Sequence, residues 1–190
     1  MSLLKKLFIG SVVSFITVSS LCAQKLETFT ITDFSKGNNG WTLNRGKEFP
    51  PGTKGMLSMF RSKEDGCGLR ISYDFSAGGN YIAINKGFSP IDIKELKFKI
   101  KTMAKTIAIR VKDSKEQSLQ MYLNITPSED WQDISISGFD KKGNFPSHWG
   151  GPNDGVVHQP ISMIDIVFGK DNCPPKGEII IGNISAVIKK

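Results

Sequence analysis

Leu96-Lys97-Phe98-Lys99-Ile100-Lys101, followed by Ile107-Ala108-Ile109-Arg110-Val111-Lys112, decides the fold class. In both runs nearly every second residue is bulky and apolar and the residues between them are polar or small. A period of two is the pattern of a strand with one face in a core. Leu69-Arg70-Ile71-Ser72-Tyr73-Asp74-Phe75 and Leu119-Gln120-Met121-Tyr122-Leu123-Asn124-Ile125 repeat it. Outward from these four, the same reading gives strands over 26–34, 81–85, 131–137, 163–169 and 178–188, all rich in β-branched or aromatic residues. The joints carry turn formers: Ala77-Gly78-Gly79-Asn80, Lys112-Asp113-Ser114, Asp171-Asn172 and Pro174-Pro175. Past the N-terminal segment no stretch has helical periodicity. About nine strands at even spacing predict one all-β domain, an antiparallel β-sandwich or jelly roll over residues 24–190.

The first 23 residues fall outside that pattern. Lys5 and Lys6 precede an apolar run over 7–18, and small residues lead to Leu21-Cys22-Ala23. This is the layout of a secretory signal peptide cleaved after Ala23, and the run is too short for a good membrane span. The expectation is a secreted or periplasmic protein. Cys22 as a lipidated residue is the alternative, against which Leu21 stands because that processing wants a small residue there. The formal charge is +7, and losing Lys5 and Lys6 would leave the chain mildly basic. Its lysines are interleaved with acids in no concentrated stripe, so no nucleic-acid partner is expected.

Two segments break the strand rhythm. Residues 35–63 are Gly-rich and irregular. Residues 139–160 hold three prolines, four glycines, Trp149 and both histidines of the chain, His148 and His158. Long loops inside a compact domain are usually functional or disordered, and aromatic content argues for order.

The segment Leu43-Asn44-Arg45-Gly46-Lys47-Glu48-Phe49-Pro50 runs into Gly52-Thr53-Lys54-Gly55. Leu69–Phe75 follows, then Gly78-Gly79-Asn80-Tyr81, Arg110-Val111-Lys112-Asp113, residues 117–120 and Trp131. His148-Trp149-Gly150-Gly151-Pro152-Asn153-Asp154-Gly155 completes the series. Together they resemble the galactose-binding-like β-sandwich modules found beside the catalytic domains of bacterial polysaccharide-degrading enzymes. The likeness runs over about 27–188. It implies a polysaccharide or oligosaccharide partner and cooperation with separate glycoside hydrolases. It also implies a structural calcium, for which Asp33, Glu48 and Asp65 are the candidate carboxylates. Finally it implies that the strands Leu69–Phe75 and Met163–Gly169 pair antiparallel. That pairing would bring Cys67 and Cys173 together as a disulfide in an oxidising compartment.

A sugar offers C–H faces that pack on flat aromatic rings and hydroxyls that need directional partners. If Ile107, Ile109 and Val111 face the core, Arg110 points away. If Leu119, Met121 and Leu123 do so, Gln120 and Tyr122 point away. As neighbouring strands these would share one outer face, which reads either as a binding surface or as a solvated sheet. Trp149, with His148, Asn153 and Asp154 around it, is the loop candidate. Trp41 is the candidate in the other irregular segment, and Trp131 opens a strand and is expected in the core. Sugar hydrolysis needs two carboxylates flanking one bond. No such pair lies on one strand face, and no Gly-x-Ser-x-Gly, His-Glu-x-x-His or phosphate loop occurs. A non-catalytic sugar-binding protein is the leading expectation. An envelope protein–protein module on the same fold, and a small hydrolase, are the alternatives.

Overall fold

The computed structural model describes residues 26–47 and 49–189. The leader expected over 1–23, its Cys22, and Glu48 lie outside the described residues. Twelve strands run β1 Leu26–Thr32, β2 Thr42–Asn44, β3 Lys54–Ser62, β4 Gly66–Asp74, β5 Tyr81–Ile91, β6 Ile93–Thr102, β7 Thr106–Asp113, β8 Ser118–Asn124, β9 Ser128–Ser137, β10 Ser147–Trp149, β11 Ile161–Gly169 and β12 Lys176–Lys189. A single 3-10 turn over Lys170–Asn172 is the only helical element among the described residues. The first sheet has the order β3-β4-β12-β6-β9, with β1 also paired to β12. The second has the order β10-β8-β7-β11-β5-β2. Every pairing is antiparallel. The sandwich fold is as expected. Its strand count is twelve instead of nine, because β2, β3 and β10 lie inside the two segments read as irregular.

Alternation decides which faces meet. On β6 the side chains of Leu96, Phe98 and Ile100 enter the core while Lys97, Lys99 and Lys101 stay outside. On β7 Ile107, Ile109 and Val111 enter and Arg110 does not. Burying one such isoleucine stabilises by about 1.5–3 kcal/mol, whereas an exposed lysine pair such as Lys99–Asp133 contributes about 0–1 kcal/mol. Apolar burial therefore fixes the register, and the surface charges follow it.

Two expectations about pairing are overturned. β4 pairs with β3 and β12, and β11 pairs with β5 and β7, so the two strands expected to be partners lie in different sheets. Cys67 and Cys173 are both free thiols. Cys67 is the second residue of β4, while Cys173 sits against Tyr73 near the end of the same strand. Six residues of extended strand separate those two ends by about 20 Å, and a disulfide needs Cα atoms within about 7 Å.

Candidate functional site

The outer face of the second sheet carries the candidate site. Its register lines up residues directly across the sheet. Ser147, Gln120, Arg110, Asp165, Asn85 and Thr42 form one row from β10 to β2. The next row holds Tyr122, Ala108, Val167, Ala83 and Asn44. The row beyond holds Asn124 and Thr106 from β8 and β7, and Gly169 and Tyr81 from β11 and β5. Small residues fill the middle: Ala83, Ala108 and Val167 are buried as a cluster separate from the main core, with Tyr81 packed against it. The result is a shallow apolar floor in the middle strands, bounded by Tyr81, Tyr122, Arg110 and Gln120.

Arg110 organises the polar row. Its Nε and Nη2 donate to Gln120 Oε1 at 3.2 and 3.0 Å, and its Nη1 donates to Asp165 Oδ2 at 3.3 Å. The guanidinium carbon lies 5.0 Å from the Trp149 ring centre and 5.9 Å from that of Tyr81. Gln120 passes the chain on, its Nε2 donating to Tyr122 Oη at 2.7 Å, and Ser147 Oγ lies 3.4 Å from that oxygen. On the β5 side, Thr42 Oγ1 donates to Asn85 Oδ1, and Asn44 Nδ2 donates to Tyr81 Oη at 3.3 Å. Burial pushes the Asp165 carboxyl up from its ordinary value, and the Arg110 charge opposes that shift. Asp165 is only 4% exposed and its Oδ1 has no hydrogen-bond partner among the described residues.

The aromatic rim is open to solvent. Tyr122 is 54% exposed, Trp149 43% and Phe49 59%; the last lies beside Tyr81 with ring centres 6.4 Å apart. The backbone at Gly46 touches the Tyr81 ring: a Cβ there would lie 2.8 Å from a ring carbon, at a φ of +56°. Glycine is thus what lets the backbone at position 46 lie against that tyrosine.

Trp149 owes its place to the loop behind it. Gln117 is fully buried; its Nε2 donates to Asp154 Oδ1 and Val156 O at 3.2 and 2.9 Å, and its Oε1 accepts from Gly155 N at 3.3 Å. Buried Asp113 accepts the N–H groups of Lys115, Gln117 and His158. Gly151 has a φ of +48°, and a Cβ there would fall 2.4 Å from Lys115 O, so the two turns interlock closely. The Val156 N–H, helped by Gln117 and His158, holds the Asp154 carboxyl down at about 2.

Of the sequence candidates, the structure brings Arg110, Gln120, Tyr122 and Trp149 together. His148 points to the opposite side of β10 from Trp149, and its Nδ1 pairs with Asn153 Oδ1 at 2.7 Å. Asn153 and Asp154 serve the loop instead of joining the polar row. Trp41 is a correction: it is fully buried in the core, with its indole N–H unpartnered. Trp131 is another, since it lies on the outer face of the first sheet, edge-on to Phe60 and 5.0 Å from Lys101 Nζ. Asp33 accepts from Ser35, and Asp65 pairs with Lys101 at 3.0 Å. Among the described residues no group of three or more His, Cys, Asp or Glu could hold a metal. Sequence reasoning missed Asp165, Tyr81, Asn85 and Thr42. Asp165 left a signal, being the one acid in the apolar run Ile161–Gly169.

No family model and no curated protein matches the chain. Solved structures do. The family 11 carbohydrate-binding module of a cellulosomal cellulase of Clostridium thermocellum aligns with a TM-score of 0.65 at 20% identity, over 88% of this chain and 97% of that one. The Clostridium thermocellum family 11 module in complex with a β-1,3-1,4-mixed-linked tetrasaccharide aligns at 0.64 and 20%, over 85% and 95%. An exo-β-agarase aligns at 0.55 and 12%, over 85% of this chain but 25% of its own. At such identities the likeness establishes a shared fold, that of a carbohydrate-binding-module-like β-sandwich.

Proposed function

We propose that this chain is a non-catalytic, exported carbohydrate-binding domain that holds a segment of polysaccharide across the outer face of its second sheet. The observation that carries the reading is the combination on one face of exposed rings, a floor of small apolar side chains and a row of polar groups. Sugar C–H faces pack on Tyr122, Trp149 and Phe49, and hydroxyls meet the polar row. The face is six strands wide, about 24 Å at ordinary strand spacing, which suits a short run of sugar rings. The fold likeness to a module complexed with a mixed-linked tetrasaccharide supports this choice of ligand. A fold that forms a quarter of an exo-β-agarase supports a role beside a hydrolase. Asp165 is the only carboxylate in the three rows, and it is tied to Arg110. A single engaged carboxylate does not suit hydrolysis, which needs two.

The test is affinity electrophoresis of residues 24–190 through gels containing soluble polysaccharides, repeated for Tyr122→Ala. At least one polymer should retard the chain. Because the Tyr122 ring is exposed, the variant should keep its melting temperature while binding about tenfold more weakly, or about 1.4 kcal/mol. Retardation by no polymer ends the reading.

A further inference from the structure

Resting on that reading, we infer that the bound chain is uncharged where it crosses the centre of the sheet. The formal charges in the strand rows of this face cancel. In the three rows only Arg110 and Asp165 are charged, and they pair with each other at 3.3 Å. In the fourth row, Trp149, Ser118, Lys112, Met163 and Gly87, the one charge is Lys112, which is paired with Glu116.

Recognising a uronate or a sulfate calls for a cation with free donors aimed outward, since charge-assisted bonds carry that kind of affinity. Three of the five Arg110 N–H donors go to Gln120 and Asp165, its charge is met by that carboxylate, and the Trp149 and Tyr81 rings lie against it. An anionic sugar here would also bring a second negative charge against a carboxylate that is already largely desolvated.

The second observation is the burial of Asp165, which is only 4% exposed and held by Arg110, so an anionic ligand could take Arg110 only by leaving that buried carboxylate unpaired. The row therefore selects for uncharged chains at its centre.

The experiment runs the chain against neutral glucans, mannans and xylans and, in parallel, against polygalacturonate, alginate and a sulfated galactan. Neutral polymers should bind and anionic ones should not. Raising salt from about 50 to about 500 mM, which shortens the screening length several-fold, should change the neutral affinity by less than about twofold. Asp165→Asn removes the neutralising charge. It should therefore gain salt-sensitive retention by the anionic polymers. Preference of the unmodified chain for an anionic polymer, lost at high salt, overturns the inference while leaving sugar binding in place. Binding to no polymer overturns both. If Asp165→Asn does not fold, the polymer panel and salt series on the unmodified chain decide alone.

Discussion

Arg110 and Asp165 depend on each other in a way that strand alternation alone would not reveal. Read from sequence, Arg110 is an outward side chain whose loss should cost little. In the fold it is the only partner of a buried carboxylate among the described residues. Arg110→Ala should therefore destabilise by about 3 kcal/mol, the lower end for breaking a buried pair. The sign of its pH dependence follows from Asp165, whose folded value is already raised by burial. A raised carboxyl binds its proton more readily in the folded state, so its contribution to stability is present in acid and lost as pH rises through the folded value. Without Arg110 that value rises further. Denaturant melts at about pH 4 and pH 7 should show the variant closer to wild type in acid; an equal deficit at both would mean the pair is not coupled. Arg110, Gln120 and Tyr122 were legible because a period of two fixes their face whatever the topology. Trp149 and Trp41 were not distinguishable, because a tryptophan in a Gly-rich stretch reads the same whether it anchors the stretch to the core or stands on its rim.

Among the elements, the regular strands were legible and the short ones were not. β3 hides because Met56 and Phe60 face outward while Leu57 and Met59 face in, so both parities are apolar and no alternation shows. β10 has three residues and exists because the 113–117 turn grips the loop behind it. Gln117→Ala should loosen that grip. Sugar affinity should fall several-fold in the otherwise native protein and not fall further in the Trp149→Ala background, since the effect runs through that ring. Equal losses in both backgrounds, read by calorimetry, would detach Gln117 from the site. Strand partners could not be read from periodicity at all, and the cysteines show the consequence. Peptide mapping without reductant should find Cys67 and Cys173 both alkylatable after denaturation. In the native protein Cys173 should react slowly, because burial raises its thiol to about 11. A linked 67–173 peptide would restore the pairing that the fold rejects.

At the scale of the molecule, stability should fall from the sheet centres to their edges. Amides of β4, β12 and β6, and of β7, β11 and β5, have partner strands on both sides, whereas β2 and β10 are three-residue edge strands. Hydrogen exchange should be slowest in the first group and fastest at β2 and β10. Bound sugar should slow β10 and leave the first sheet unchanged. Protection gained mainly in the first sheet would move the site to the other face. The sandwich class was legible in the sequence, but the strand order was not, because partners such as β4 and β12 are joined by no local signal. That same order sets a timetable for biosynthesis. β12 sits between β4 and β6 and also carries β1, yet it is the last of the twelve strands to leave the ribosome. Until residues 176–189 emerge, β1, β4 and β6 lack the strand that joins them, and half the sandwich cannot assemble. The first sheet can thus close only once the whole stretch from 26 to 189 has been made.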